Sequence, residues 1–329
     1  MNINAVLPWQ QNIWQLLLQS RARQTMPHAF IFSGLSGVGK LHFTQAVSAW
    51  LLCQQPTDLG ACGQCKSCQL WQAESHPDYR FLQATTDEKT GKTSRVIKVD
   101  QVRELVGFLN KSAQLNGYRV AVIQPADILN NNAANSLLKI LEEPGAQTAI
   151  ILLTDQPLAL LPTIRSRCQQ FTVSVPSTQQ AKEWLLPQLK NPAQADLLLR
   201  LSENAPLAAL ALQESAGFQC RAELAQSMVA VVERKASPLQ TAQQWQKNLK
   251  PEELLPSLQL LLADALLSAL DQDSAIKNSD LLPIIRVLGQ RLSRTRLLEL
   301  HSDCVESQRL VAANIQANLL LDNFWQRLQ

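Results

Sequence analysis

The sequence predicts an α/β domain, a parallel sheet with helices on both faces, followed by an all-α region. Through the first half, apolar runs of β type alternate with helical patterns, which is typical of a parallel sheet covered by helices. After residues 171–173 no further strand pattern appears, and prolines divide the rest of the chain into helical segments. Aromatic residues make up only 5% of the 329 residues, a composition that favours helices over a β-sandwich or barrel.

Five apolar runs mark the expected strands. The first leads into a glycine-rich turn and then into helical spacing at Phe43, Val47 and Trp50. The third and fourth are continuous apolar runs, as expected for central parallel strands that are buried on both faces. In chain order, the runs lie at residues 28–32, 78–82, 118–123, 148–153 and 171–173.

Two helices and a loop are expected between these strands. Apolar residues from Val102 to Leu109 recur at helical spacing behind Asp100, which is expected to be the N-cap of that helix. A second helix is expected over residues 132–143, where a proline follows and stops it. The polar composition of residues 85–95 predicts an exposed loop.

Three domains are expected from the length and the pattern. Residues 1–170 form the α/β domain, which carries a cysteine-rich insertion at residues 53–68. Residues 171–210 form a small helical domain, and residues 211–329 form a larger one. Apolar helical faces in the last domain, for example over residues 315–328, serve either as that domain's core or as an oligomeric surface.

Composition excludes several classes of function. No apolar run approaches the roughly 18 residues that a membrane helix requires, and no secretion signal is evident. The cysteines are seven in number, and four of them fall within sixteen residues, which suits a reducing compartment, so a cytoplasmic location is expected. The chain has 30 Lys and Arg residues and 27 Asp and Glu residues, so its formal net charge is 30 − 27 = +3. This small charge argues against a protein that works mainly by wrapping nucleic acid, for which the pI is typically above ~9.

A phosphate-binding loop is expected directly after the first strand. Residues 34–40 match the pattern G-x-x-x-x-G-K, with the glycines Gly34, Gly37 and Gly39 and the lysine Lys40. Such a loop holds phosphate oxygens with backbone N–H groups at the start of a helix. The next position is Leu41, where the motif requires Ser or Thr to hold Mg²⁺. The pattern therefore favours a loop that has kept its fold without productive ATP hydrolysis.

The end of the third strand gives a second test of ATPase chemistry. P-loop ATPases carry an acidic residue at the tip of a later strand to hold the metal. Here the strand ends in Gln124, Pro125 and Ala126, and Asp127 lies too far along to take that place. Both expected metal-holding groups are therefore missing.

Four of the seven cysteines form a candidate metal site. Cys53, Cys62, Cys65 and Cys68 have the spacing C-x8-C-x2-C-x2-C, and four thiolates suit a tetrahedral zinc site. Because protein fills all four positions, the zinc would be structural. An iron-sulfur cluster and four unligated thiols are the alternatives that stay open. A cysteine cluster of this kind suits a reducing compartment.

Two arginines end the α/β region. Arg165 and Arg167 surround Ser166, and Cys168 follows. An exposed arginine here has two interpretations: a cation that reaches a nucleotide held by a neighbouring subunit, or a surface residue paired with a carboxylate. Composition by itself favours the second.

These motifs together resemble one known family. The degenerate loop, the cysteine insertion, residues 133–144 with their ending Leu-Glu-Glu-Pro, and the Ser-Arg-Cys motif at Ser166, Arg167 and Cys168 are similar to the bacterial clamp-loader AAA+ ATPases. The resemblance is specific through residues 28–173 and weaker beyond them.

The resemblance implies a role in a five-subunit ring that places a sliding clamp on primed DNA. It implies that the chain is a non-hydrolysing accessory subunit of a DNA-directed DNA polymerase, with tau/gamma and delta subunits as partners. Arg167 would act in trans on the ATP site of the adjacent tau/gamma subunit, and Arg165 has no family role. The two helical domains would be a lid and a collar. In motor subunits a later helix supplies a sensing arginine, but the matching residues 203–207 contain none.

Two functions from other classes stay open at this point. One is an autonomous P-loop ATPase that acts on DNA, and the other is a zinc-dependent DNA-binding module. ATP hydrolysis by the isolated chain would support the first function. Salt-dependent binding of DNA by the isolated chain would support the second.

Overall fold

The computed structural model describes residues 6–84, 96–115, 117–313 and 315–329. The chain divides into two compact units, Met1–Gln180 and Ala181–Gln329. The loop expected at residues 85–95 lies outside the described residues.

The first unit contains five strands: β1 (Ala29–Ser33), β2 (Tyr79–Gln83), β3 (Arg119–Gln124), β4 (Thr148–Thr154) and β5 (Gln169–Thr172). They form one parallel sheet in the order β2-β3-β4-β1-β5. Each of the five expected strands is present within one or two residues of its predicted place. The three inner strands are buried almost throughout, because their continuous apolar runs fill both faces of the sheet.

Helices cover both faces of this sheet, as predicted. They are α1 (Gln11–Ala22), α2 (Lys40–Leu52), α3 (Lys66–Gln72), α4 (Val99–Leu109), α5 (Asn131–Glu142) and α6 (Pro162–Arg165). On one face, Ile31 packs in an apolar cluster with residues of α4 and α5. On the other face, the ring of Phe32 contacts the ring of Phe43 in α2, with centroids 5.1 Å apart.

The start of α4 corrects one expectation. Asp100 is not the N-cap, because the helix begins at Val99 and Lys98 takes the cap position. The side chain of Gln101 accepts a hydrogen bond from the Lys98 N–H at 3.0 Å and so satisfies this end of the helix. Asp100 lies in the first turn, where its charge complements the helix dipole.

The second unit is all-α, as predicted: its described residues, which omit Asn314, form helices and no strand. A helix that includes the division between the units, α7 (Thr178–Leu185), precedes the others. These are α8 (Ala195–Leu201), α9 (Pro206–Glu214), α10 (Ala216–Val232), α11 (Pro238–Asn248), α12 (Pro251–Ala269), α13 (Leu282–Arg291), α14 (Arg294–Ala312) and α15 (Ala317–Leu328). None of the helices formed by the described residues combines the length and apolar character that a membrane span requires.

The apolar faces of the last helices form a core. Leu258 and Leu262 of α12 pack in one large cluster with Phe324 and Trp325 of α15. A smaller cluster, around Leu198, gathers α7, α8 and α9 with the start of α10. The open question of core or oligomeric surface is thus answered for these buried faces: they are core.

Candidate functional site

The phosphate loop lies between β1 and α2, at the carboxyl edge of the sheet. Gly34 opens it with a φ of +147°, and a Cβ at this position would lie 2.5 Å from the carbonyl oxygen of Val173. Gly39 is the N-cap of α2 with a φ of 93°, in the left-handed region that favours glycine. The glycines therefore shape a tight turn between strand and helix.

Two side chains from the N-terminal segment hold this loop from outside. The indole Nε1 of Trp9 donates to the carbonyl oxygen of Val38 at 2.8 Å, and Nε2 of Gln10 donates to the carbonyl oxygen of Gly39 at 2.9 Å. Both side chains are buried. Sequence reasoning missed Gln10, because nothing in its local pattern distinguishes it from the other glutamines of the chain.

Lys40 is bound within its own loop. Its Nζ donates to the carbonyl oxygens of Gly34 and Leu35, both at 2.9 Å, and lies 2.5 Å from Oδ1 of Asp155. An ammonium group has three donors, so all three are occupied. Asp155 was not among the predicted site residues. The available signal was its place directly after β4, since β4 neighbours β1 and parallel strands end at one edge.

The strand tip that carries an acid in ATPases ends here in an amide. Gln124 is the last residue of β3, and Asp127 lies beyond it in the 3-10 turn Ala126–Ile128. There Asp127 accepts a hydrogen bond from Oγ1 of Thr154 at 2.5 Å. The carboxylate therefore has a partner on β4.

The four cysteines of the insertion come together as the spacing predicts. Their sulfurs lie within 4.8 Å of one another. The Sγ–Sγ distances are 3.9 Å for Cys53–Cys65 and for Cys62–Cys68, 3.5 Å for Cys65–Cys68 and 3.6 Å for Cys53–Cys68. Four sulfurs about 2.3 Å from a tetrahedral zinc would be about 3.8 Å apart. The cluster therefore fits one metal ion of this size, and its four sulfurs would fill all four coordination positions.

Backbone N–H groups point at these sulfurs. The N–H of Cys62 donates to Sγ of Cys53 at 3.2 Å, and the N–H of Cys65 donates to Sγ of Cys62 at 3.4 Å. Hydrogen bonds from the backbone of Gln64 and Cys65 lower the pKa of the Cys62 thiol to about 6. Donors of this kind stabilise the thiolate form, which is the form that binds metal.

Arg167 lies just after α6 and contacts the end of α5. Its Nε donates to Oε1 of Glu142 at 2.8 Å, and its Nη2 forms an ion pair with the same oxygen. Its Nη1 donates to the carbonyl oxygen of Thr163 at 2.8 Å. A third of the Arg167 side chain is exposed. In the isolated chain, the arginine is therefore paired with a carboxylate, which was the second interpretation of its sequence.

The residues next to Arg167 in the sequence have surroundings different from those of Arg167. Cys168 is buried, and burial raises the pKa of its thiol to about 12. Ser166 donates to the carbonyl oxygen of Thr163 at 3.1 Å. Nε of Arg165 is buried and has no hydrogen-bond partner among the described residues.

The stretch that would carry a sensing arginine lies at the start of α9. Ala205 is its N-cap and Pro206 its first residue. Glu203, just before them, pairs with Lys277 at 2.6 Å.

The first unit is a P-loop-type α/β domain, because its glycine-rich loop joins a strand to a helix at the carboxyl edge of a parallel sheet. This domain also carries the module of four cysteines. The family model described as DNA polymerase III, delta subunit, matches residues 9–177. A second model, described as DNA polymerase III, delta subunit, C terminal, matches residues 215–327.

Two relatives in sequence agree with the family models. The chain is 36% identical to the DNA polymerase III subunit delta-prime of Pseudomonas aeruginosa over 326 residues, which covers 96% of this chain and 95% of that protein. It is 33% identical to the same subunit of Escherichia coli K12 over 330 residues, 98% of this chain and 95% of that one. A gamma subunit-related protein of DNA polymerase III from Thermotoga maritima has a TM-score of 0.48 at 18% identity, over 98% of this chain and all of that one. The chain belongs to the DNA polymerase III delta-prime subunit family, which confirms the resemblance found in the sequence.

Proposed function

We propose that this chain is the non-hydrolysing delta-prime member of a bacterial clamp loader. In this role it assembles with tau/gamma and delta subunits into a five-subunit AAA+ ring that places the sliding clamp on primed DNA. Family membership over almost the whole chain supports the assignment. The observation that carries the non-hydrolysing part is the state of the phosphate loop.

This loop lacks what phosphoryl transfer requires. The three donors of Lys40 are used by Gly34, Leu35 and Asp155, so none is free for an outer phosphate. Leu41 offers no oxygen to Mg²⁺, and the tip of β3 offers an amide. Because metal ions bridge the phosphates in every working P-loop site, these departures support a structural role for the loop.

The two apolar clusters of the second unit support a lid and a collar. The smaller cluster involves residues 181–218, close to the proposed lid at 171–210. The larger involves residues 224–328, within the proposed collar at 211–329. Leu298 and Leu319 lie on collar helices and stay exposed, which suits contact with other subunits of the ring.

The four cysteines would hold a structural zinc. The insertion has a small apolar cluster of its own, made of Ala49, Ala61 and the thiols Cys53 and Cys68. The apolar surface buried in this cluster is too small to stabilise the fold of the insertion. Zinc bound by the four thiolates would supply the remaining free energy of folding.

Arg167 would stabilise charge in the neighbour's ATP site. A planar cation that reaches a transferred phosphoryl group from an adjacent subunit binds the oxygens over which the transition-state charge is spread. The partial exposure of the side chain supports this role.

Reconstitution tests the proposed function. The candidate tau/gamma and delta subunits are mixed with the clamp and primed DNA, with and without this chain, and loaded clamps are counted. We expect loading to depend on the chain. Loading at the same rate without it would contradict the proposal, and ATP turnover by the chain alone would favour an autonomous ATPase.

A further inference from the structure

Glu142 contacts one edge of the Arg167 guanidinium. Nε and Nη2 both contact Oε1 of Glu142, which is the side-on approach of a carboxylate to arginine. Nη1 donates to the carbonyl oxygen of Thr163 at 2.8 Å. The distance from Nη1 to Oγ of Ser166 is 3.5 Å, longer than a normal N–H···O hydrogen bond.

Counting donors shows what remains available. A guanidinium has five N–H donors, one on Nε and two on each terminal nitrogen. Glu142 takes one on Nε and one on Nη2, and Thr163 takes one on Nη1. Among the described residues, one donor on each terminal nitrogen is left without a close acceptor. One donor from each terminal nitrogen makes up the end-on fork of a guanidinium, the edge that binds an oxyanion bidentately.

The position of Glu142 is not explained by the stability of its own helix. It is the last residue of α5, where a negative charge opposes the helix dipole. Half of its side chain is exposed, so the ion pair is screened by water and adds little to folding. Glu143 follows it and is also exposed, but among the described residues it forms no hydrogen bond or ion pair with Arg167.

We infer that Glu142 is a positioning residue for Arg167, holding the side-on edge of the guanidinium so that its end-on fork stays oriented for phosphate oxygens of a neighbouring subunit. This inference rests on the proposed trans role of Arg167. An unpaired arginine side chain loses conformational freedom when it binds, and a guanidinium that is already held loses less. Glu142 therefore acts through Arg167 and touches no phosphate itself.

The effect should fall on the catalytic step. The charge that Arg167 meets is greatest in the transition state, so loss of its orientation lowers kcat more than it changes KM. Removal of Glu142 matters only if Arg167 is present. A purely structural role for Glu142 would predict a loss of assembly or stability that persists without Arg167.

The test uses full-length chain reconstituted with its partner subunits. Glu142→Ala, Arg167→Ala, the double variant and the matched control Glu143→Ala are compared by clamp- and DNA-stimulated ATP hydrolysis, after assembly is confirmed by gel filtration. Glu142→Gln is included because it keeps an acceptor oxygen with less disturbance of the helix end. We expect Glu142→Ala to lower kcat about three- to tenfold with little change in KM, and Glu142→Gln to lower it less.

In the Arg167→Ala background, Glu142→Ala should change kcat by less than about 1.5-fold, since residues that act as one unit are not additive. Glu143→Ala should match wild type. Equal falls in both backgrounds, or a rate above wild type for Glu142→Ala, would overturn the inference. If the Glu142→Ala complex hydrolysed ATP at the wild-type rate while the Arg167→Ala complex was slow, this inference alone would be wrong. Wild-type rates for Arg167→Ala would contradict the proposed trans role of Arg167, on which this inference rests, and would leave the clamp-loader assignment to the reconstitution test.

Discussion

Lys40 and Asp155 form an ion pair at the carboxyl edge of the sheet, with Nζ 2.5 Å from Oδ1. The lysine side chain is 9% exposed, whereas half of the aspartate is open to solvent. The lysine that P-loop ATPases direct at phosphates is thus bound by the protein itself, and the loop retains its shape through contacts that require no nucleotide.

ATP hydrolysis by the isolated chain should not exceed background. Leu41→Thr alone should not restore it, because β3 would still end on Gln124 without a carboxylate. Asp155→Ala, which frees one donor of Lys40, should not restore it either. Steady-state release of phosphate measures this, with Lys40→Ala as control. Robust turnover by wild type that Lys40→Ala abolishes would show that the loop is a working site.

Metal analysis should find about one zinc per chain, since the four sulfurs fit one closed tetrahedral site. Cys62→Ser and Cys65→Ser should each lose the metal and lower the stability of the insertion. Cys220→Ser is the matched control, a free cysteine of the second unit that should keep the metal. A fully folded protein, purified without chelator and free of metal, would refute a structural zinc. Iron and sulfide in place of zinc would assign a cluster.

Gly34→Ala should destabilise the first unit. The new Cβ would lie 2.5 Å from the Val173 carbonyl oxygen, at a φ of +147° that side chains rarely adopt. We expect a loss of about 2–4 kcal/mol in the free energy of unfolding, measured with urea. Gly107→Ala, in α4 with open space around the added atom, is the control and should stabilise by about 0.5–1 kcal/mol. If both substitutions changed the free energy of unfolding by the same amount, the backbone conformation given for Gly34 would be wrong.

Trp325→Ala should destabilise the second unit by about 3–5 kcal/mol, because this ring is fully buried in the large apolar cluster. Leu319→Ala on the same helix removes an exposed side chain and should change the free energy of unfolding by less than about 0.5 kcal/mol. Chemical denaturation followed by tryptophan fluorescence and circular dichroism compares them. A small effect of Trp325→Ala would place the ring outside the core.

Much of this fold follows from local sequence. The strands were predicted within one or two residues because their apolar runs are continuous and bounded by turn residues. The cysteine cluster was also predictable, since its spacing is short. The pairing of Lys40 with Asp155 and of Arg167 with Glu142 was not, because each joins residues that only the topology of the sheet brings together. Asp100 was misplaced because Gln101 satisfies the helix start instead, a competition that spacing does not reveal.

ATP hydrolysis by the assembled complex tests the trans role of Arg167 most directly. A complex that contains Arg167→Ala or Arg167→Lys is compared with wild type and with Arg165→Ala, in the presence of clamp and primed DNA. Arginine fingers in other systems contribute on the order of 10³ to 10⁵ in rate, and lysine lacks the planar fork. Because other interfaces of the proposed ring would have their own arginines, we expect both Arg167 variants to lose part of the stimulated hydrolysis and clamp loading, and Arg165→Ala to lose less. Wild-type hydrolysis and loading by the Arg167→Ala complex would contradict the role and leave Arg167 as a surface partner of Glu142.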